Sequence, residues 1–189
     1  MNEFYGKYKN IRNGAWQLLL DYNISKLPLN LTYIAKNSDI KIIKNSSVHL
    51  LNNDENGLCT LNKNQWYIIY DDTLSTPDIR FAIAHELGHI FLGHPLKLSR
   101  DLSLSDKTRQ AFEYDADKFA MRILSPACVL WGLNLHTAEE IASVCGISKK
   151  VAALRAHRME LLYRRNKFLS EKLEMNVYNN FSEFINSAK

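Results

Sequence analysis

Residues 81 to 92 read Phe81-Ala-Ile-Ala-His85-Glu86-Leu87-Gly88-His89-Ile-Phe-Leu92, and this segment carries the most information about the fold. Two histidines four positions apart lie on one face of an α-helix, so the rings of His85 and His89 can converge on one metal ion. Glu86 then flanks the ion without binding it. The pattern is typical of a helical zinc peptidase site in which the glutamate is the general base.

The flanking residues predict where this helix begins and ends. Thr76 is the predicted N-cap, Pro77 suits the first helical position, and Asp78 lies in the first turn, where its charge favours the helix dipole. Gly93 and Pro95 are typical of a helix end. Four apolar residues at spacings of three and four predict that one face packs on a core: Ile79, Ile83, Leu87 and Ile90.

Two histidines do not complete a catalytic zinc site, because such an ion usually takes three protein ligands and a water. His94 is the nearest further candidate, but five residues past His89 it would point away from the metal face if the helix continued. The metzincin pattern needs Gly at position 92 and His at position 95, where the chain has Leu92 and Pro95. That class of peptidase is therefore excluded.

A second helix, predicted from Arg109 to Leu124, supplies a better third ligand. Its apolar positions recur at helical spacing: Phe112, Ala116, Phe119, Ala120, Ile123 and Leu124. Glu113 and Asp117 are four apart along one edge of that stripe. Glu113 would complete a His, His, Glu set, and Asp117 would accept the second ring N–H of a ligating histidine. The alternative is an ordinary surface helix with solvated acids.

These residues carry a resemblance to a known family. The H-E-L-G-H motif, the segment Glu113-x-Asp-Ala-Asp117-x-Phe-Ala120 and the closing Ile123-Leu-Ser-Pro126 are similar to the ImmA/IrrE family of bacterial and phage zinc metallopeptidases. The similarity begins near Ile68, where Ile68-Ile-Tyr-Asp-Asp resembles the family's edge strand before the metal helix. The family more commonly has Glu and Asn at positions 115 and 117, and Leu-Met-Pro at the end.

The resemblance implies a fold, a cofactor and a substrate class. The fold would be α+β, with a zincin-like metallopeptidase core whose small antiparallel or mixed sheet packs on the H-E-x-x-H helix. Zinc would be held by His85, His89 and Glu113, with Glu86 as the catalytic residue. The role of Asp117 rests on helix spacing alone, because the family more commonly has Asn there. Members resemble anti-repressors, so the substrate would be a helix-turn-helix repressor of a phage, a mobile element or a stress regulon.

The chain before the metal helix is expected to hold two helices and three strands. Helical spacing predicts a helix from Glu3 to about Tyr22 and a shorter one from Pro28 to Ala35. A strand begins at Ile40-Lys-Ile-Ile, and Leu58–Leu61 and Trp66–Tyr70 flank a short polar connector of hairpin type. If Trp66–Tyr70 is an edge strand, it can pair with a substrate backbone. The alternative is a strand half-buried under the metal helix.

A helical extension is predicted after Pro126, which divides the chain into a peptidase core at 1–126 and an extension at 127–189. Thr137 to Glu140 is a capping box, Gly146 is a C-cap, and a helix should run from Lys149 to about Arg165. This arrangement weakly resembles a helix-turn-helix. The tail from Ser170 to Lys189 is expected to be a final helix or a partly ordered segment.

Basic residues are concentrated in that last long helix. Between Lys149 and Lys167 there are seven Lys or Arg and one Glu, a local charge of +6, whereas the whole chain carries +4. A solvated helix face is the first explanation of the excess, a surface that docks the repressor is the second, and weak contact with nucleic acid is the third. Two further functions therefore stay open: a DNA-binding regulator, and a peptidase fold that sequesters a partner without cutting it.

Composition sets the remaining bounds. With 189 residues, 46% hydrophobic and 23% charged, the chain can bury a sizeable core, and no apolar run is long enough for a membrane span. The first residues lack the apolar region of a signal peptide, so a cytoplasmic protein without a membrane partner is expected. Three widely spaced cysteines fit neither a disulfide framework nor a zinc finger, and they are predicted to stay reduced outside the metal site: Cys59, Cys128 and Cys145.

Overall fold

The computed structural model describes residues 5, 10–95 and 105–188. The strands are β1 (Ile40–Lys44), β2 (Gly57–Asn62) and β3 (Gln65–Tyr70). The helices are α1 (Ile11–Asp21), α2 (Leu31–Asn37), α3 (Thr76–Leu92), α4 (Asp106–Leu124), α5 (Ala127–Gly132), α6 (Ala138–Cys145), α7 (Lys149–Arg165), α8 (Lys172–Asn180) and α9 (Ser182–Ser187). The chain is thus of mixed α and β class, as predicted, and is mostly helical.

The three strands form one mixed sheet in the order β1-β3-β2. The predicted hairpin between β2 and β3 is confirmed. It turns through Lys63 and Asn64, whose positive φ values of 47° and 64° match the twist of the flanking strands. The prediction of an edge strand at Trp66–Tyr70 is wrong, because β3 is central, parallel to β1 and antiparallel to β2. Its backbone is already paired on both sides, so among the described residues β2 and β1 form the edges.

Helix α3 packs against β2, β3 and α4. Its N-cap is Ser75 and not Thr76, because the Ser75 side chain accepts the Asp78 N–H and places Thr76 and Pro77 in the first turn. The helix ends where predicted: Gly93 has a φ of 72°, in the left-handed region that favours glycine. The direction of the chain therefore changes directly after Leu92.

Helices α3 and α4 approach each other through residues with little or no side chain. A Cβ atom added to Gly88 would lie 3.1 Å from the carbonyl oxygen and 3.2 Å from the Cα of Ala116. Since these are backbone atoms, they cannot move aside as the tip of a side chain can. Gly88 therefore sets the separation between the helix that carries the two histidines and the helix that carries Glu113. Helix α4 begins at Asp106, three residues before the predicted start, with Ser105 as its N-cap.

The N-terminal helices differ from the prediction mainly at their ends. Helix α1 begins at Ile11 with Asn10 as its N-cap, and the earlier part of the predicted helix lies outside the described residues except for buried Tyr5. Helix α2 begins at Leu31 and not at Pro28, because the side chain of Asn30 accepts the Tyr33 N–H and caps the helix there.

Residues from both sides of position 126 contribute to one cluster of buried apolar side chains. The division into two domains at 126 and 127 stays a prediction. Helix α8 packs against α1 and α5, and the Asn180 side chain donates to the Ile24 carbonyl at 2.7 Å. The tail thus forms two short helices, α8 and α9, up to Ser187.

The pair α6 and α7 matches the sequence prediction closely. The capping box of Thr137 and Glu140 is present, and Gly146 ends α6 with a φ of 62°. Two arginines tie this pair to the helices of the histidine motif and of Glu113. Arg80 of α3 donates through Nε to the Gly146 carbonyl at 2.9 Å, and buried Arg155 of α7 donates to the Ser125 carbonyl at the end of α4. Across the described part of the chain, no helix has the length and apolarity that crossing a bilayer requires.

Candidate metal centre

His85, His89 and Glu113 converge at the contact between α3 and α4. The Nε2 atoms of the two histidines are 2.9 Å apart. Glu113 Oε2 lies 3.2 Å from His85 Nε2, and its Oε1 lies 3.4 Å from His89 Nε2. One ligand atom from each residue can be chosen so that all lie within 4.8 Å of one another. The structure therefore brings together the three residues that the sequence predicted as ligands.

The separations fit a divalent ion with tetrahedral geometry. Bonds of about 2.0–2.1 Å in such a geometry place neighbouring ligand atoms about 3.3 Å apart. The 2.9 Å between the two Nε2 atoms and the 3.2 Å between His85 Nε2 and Glu113 Oε2 lie near that separation, and His89 Nε2 lies 3.4 Å from the other carboxylate oxygen, Oε1. Two imidazole nitrogens this close must also have a proton or a cation between them, because two lone pairs repel. The donor set thus has the geometry and chemistry of a metal centre.

Charge supports the same interpretation. Hydrogen bonds from His85 and His89 hold the pKa of Glu113 well below its usual range. Burial alone would lower the pKa of His85, but hydrogen bonds to Asp117 and Glu113 outweigh burial and raise it to about 9. The acidic partners of His85 thus favour positive charge at the point where the ligand atoms converge.

Asp117 lies behind His85. Its Oδ1 is 2.8 Å from His85 Nδ1, on the opposite side of the ring from Nε2. A carboxylate in that place accepts the Nδ1 proton and leaves the Nε2 lone pair free for a metal. The Asp117 position therefore has the geometry expected from the sequence.

Glu86 is almost completely buried, at 7% exposure. Burial raises its pKa, while the neighbouring imidazoles of His85 and His89 oppose that shift. A Cβ atom added to Gly57 of β2 would lie 3.1 Å from Glu86 Cγ and 3.2 Å from Glu86 Oε1. The carboxyl group thus lies against β2 at a position where the strand has no side chain.

Cys59 also borders Glu86, although the sequence placed all three cysteines away from the site. Burial raises the pKa of its thiol well above the ordinary value, and the charge of Glu86 raises it further. Cys59 is therefore a neutral thiol that contributes to the surroundings of Glu86. A motif search cannot find this contact, because it depends on which strand lies beside α3.

His94 is buried at 2% exposure and contacts His89, but not through the metal face. Its Nδ1 lies 3.1 Å from His89 Nδ1, and its ring stacks on Phe112 with centroids 4.4 Å apart and planes 9° apart. The expectation that it would point away assumed that the helix continued. Because α3 ends at Gly93, His94 instead turns back towards His89.

Comparison with known proteins places this centre in context. The model of the IrrE N-terminal-like domain, a peptidase family, matches residues 35–157. No curated protein matches the sequence. The fold resembles that of a transcriptional regulator from Mycobacterium tuberculosis, with a TM-score of 0.56 and 14% identity over 78% of this chain and 46% of that chain. This chain thus spans less than half the length of that protein, and an identity this low shows a shared fold alone.

The family match covers well over half of the chain and includes both helices of the candidate metal centre and all three strands. It confirms the resemblance that the motifs predicted. The chain belongs to the IrrE N-terminal-like family of M78 peptidases.

Proposed function

We propose that this protein is a zinc-dependent endopeptidase that cleaves a regulatory protein, with a helix-turn-helix transcriptional repressor as its substrate. The main support is the convergence of His85, His89 and Glu113 beside a buried carboxyl group, that of Glu86. Two imidazoles and one carboxylate at these separations favour zinc over metals that prefer more oxygen ligands. The repressor substrate is inferred from the family resemblance.

Each residue of the centre has a defined part in the proposed reaction. His85, His89 and Glu113 would hold the ion, and Asp117 holds the His85 ring through Nδ1. Zinc bound at such a set supplies a Lewis acid that lowers the pKa of a ligated water and polarises a peptide carbonyl. Glu86 accepts a proton from the attacking water and returns it to the leaving amine. Its burial suits this role, because a raised carboxyl pKa makes Glu86 a stronger base near neutral pH.

The site is open on the α4 side, which suits a protein substrate. The Glu113 side chain is 64% exposed, whereas those of His85 and His89 are mostly covered. Among the described residues, the outer edge of β2 has no partner strand, and Gly57 at the start of this strand lies beside Glu86. We infer that an extended substrate segment pairs with β2, and not with β3, to place its peptide bond near Glu86.

Cleavage of a candidate repressor tests the proposal directly. A helix-turn-helix repressor encoded beside this chain should yield two new fragments when incubated with the zinc-loaded protein, and mass spectrometry of their ends should identify one peptide bond. A chelator should stop the reaction, and added zinc should restore it. A stable complex without fragments would instead support sequestration of the partner and contradict the peptidase proposal.

A second function, binding of duplex DNA, is favoured by one observation on α6 and α7. Gly146 joins an eight-residue helix to a longer one. The side chains that hold the pair together are buried: Ile141, Cys145, Ile147 and Ala152. Lys149, Lys150 and Arg158 are exposed at the start and middle of α7, where a recognition helix contacts DNA.

Other features of the pair weaken the DNA interpretation. Arg155 contributes to the local charge of +6, but it is only 5% exposed and faces Ser125. Arg164 pairs with Glu160, and Glu139 lies exposed in the first turn of α6, near the expected DNA backbone. DNA binding therefore ranks second.

The DNA function predicts a retarded band in a gel shift that weakens steeply between about 50 and 200 mM salt. The band should survive His85→Ala, which leaves α7 intact, and should be lost when Lys149 and Lys150 are both changed to Ala. Absence of a band at the lower salt concentration would exclude this second function.

A further inference from the structure

We infer that His94 is a positioning residue, which holds His89 in the tautomer that binds metal through Nε2. The inference rests on the proposed zinc site. Its structural basis is the 3.1 Å contact between the Nδ1 atoms of the two rings, on the side of His89 that faces away from Glu113.

The proton positions follow from the chemistry of imidazole. A neutral ring has one N–H and one lone pair, so a His89 that offers its Nε2 lone pair to a metal carries its proton on Nδ1. That proton points at His94 Nδ1, which must then accept it. His94 therefore carries its own proton on Nε2. This is the arrangement of protons that lets His89 bind a metal through Nε2 while its Nδ1–H has an acceptor.

Burial makes this hydrogen bond important. His89 is 7% exposed and His94 is 2% exposed, so water has little access to replace either partner. A buried N–H without an acceptor is costly, and rotation of the ring or a change of tautomer would relieve that cost. Either change would remove the Nε2 lone pair from the metal position. The acceptor on His94 thus stabilises the arrangement of His89 that binds metal.

His94 itself is held from two sides. Gly93 turns the chain at the end of α3, and the His94 ring stacks on Phe112 of α4. Phe112 directly precedes Glu113, so the residue that orients one ligand rests on the helix that supplies another. The arrangement parallels that at His85, whose Nδ1 faces Asp117. Each predicted histidine ligand therefore has a partner at its second nitrogen.

Three variants separate the hydrogen bond from the packing. His94→Phe keeps a ring to stack on Phe112 but removes the acceptor. His94→Asn places an acceptor oxygen where Nδ1 lies but loses the stack, and His94→Leu removes both. Zinc affinity is measured by competition with a chromophoric chelator, and the geometry of the site by the visible spectrum of the cobalt-substituted protein. Loss of the residue that hydrogen-bonds to a metal ligand typically weakens metal binding about 10–100-fold.

We expect that loss, with an altered cobalt spectrum, for His94→Phe and His94→Leu, while His94→Asn stays closer to wild type. Equal losses in His94→Asn and His94→Phe would show that an acceptor at this position does not restore zinc binding, and would overturn the inference. Wild-type zinc affinity in His94→Phe would overturn it as well. If His94→Phe does not fold by circular dichroism, the comparison of His94→Asn with His94→Leu decides the question.

The wild-type protein supplies an independent measurement. In the zinc-loaded form, long-range ¹H–¹⁵N spectra should show a proton on Nδ1 of His89 and on Nε2 of His94. A proton on Nδ1 of His94 would overturn the inference. Failure of the wild-type protein to bind zinc would instead contradict the proposed function, so the two failures are distinguishable.

Discussion

Glu86→Gln is expected to lower the rate of peptide-bond cleavage about 10²–10⁴-fold, the usual contribution of a general base, while zinc content stays at the wild-type level. Glutamine has nearly the shape of glutamate, so the contacts with Gly57 and Cys59 are kept. Its amide cannot accept a proton from water at neutral pH. The substitution therefore removes the proton transfer and leaves the metal ligands in place.

Single-turnover cleavage of the repressor and metal analysis of the same samples test this result. Glu183→Gln is a matched control, because Glu183 is exposed on α9 and the same atoms are exchanged. The control should cleave at the wild-type rate. If Glu86→Gln also cleaves at that rate, Glu86 is not the base. If it loses zinc as well, its role in the site is structural.

Glu113→Ala should abolish zinc binding at micromolar metal. Removing a direct ligand leaves two histidines on α3 and no negatively charged ligand on the ion, so the loss should exceed the roughly 10–100-fold cost of losing the hydrogen-bond partner of a ligand. Asp115→Ala is the control, because it removes another acid from α4 that is not among the clustered ligand atoms. Unchanged zinc content in Glu113→Ala would refute the third-ligand assignment.

The same variant should change the pH dependence of metal binding. In the metal-free protein His85 has a raised pKa of about 9, so the metal must displace a proton below that pH. The apparent zinc affinity of the wild type should therefore rise with pH until His85 is deprotonated, near pH 9. Glu113 contributes to that raised pKa. Any residual binding by Glu113→Ala should thus level off at a lower pH, which competition titrations across pH would detect.

Local spacing predicted the parts of the centre that lie within one helix. His85 and His89 were identified because residues four apart share a helix face, and Glu113 because a zinc site needs a third ligand and α4 has a clear apolar stripe. The hairpin of β2 and β3 was predicted by its polar connector. The signal for each element lies within one helix or one hairpin, and the ligand count of a zinc site connects Glu113 with the two histidines.

The parts that were wrong or missed depend on contacts between distant segments. The Trp66–Tyr70 pattern indicates a strand but does not say which strands pair with it. The side of β3 that was expected to be free is paired with β1, which lies more than 20 residues earlier in the chain. Gly57 and Cys59 lie beside Glu86 only because β2 forms the opposite edge of the sheet. Periodicity alone could not reveal either fact.

Arg155 and His94 show a related limit. A count of charges along α7 includes Arg155 in a basic face, yet its guanidinium is buried against Ser125. His94 was expected to point away because a continuous helix was assumed, although Gly93 itself predicted the helix end. The helix end at Gly93 and the spacing of His94 together would have predicted that His94 lies outside the regular helix. They would not have predicted its contact with His89.

The arginine contacts of α6 and α7 connect the candidate metal centre to a part of the chain that supplies none of its ligands. A polypeptide shortened to end at Pro126 would retain every side chain that faces the metal. It would nevertheless lose the carbonyl that receives Arg80 Nε and the guanidinium that binds Ser125, and it would open the shared interior to water. The structural unit that holds the candidate metal centre is thus larger than the H-E-x-x-H motif, because α6 and α7 contact α3 and α4 through these two arginines.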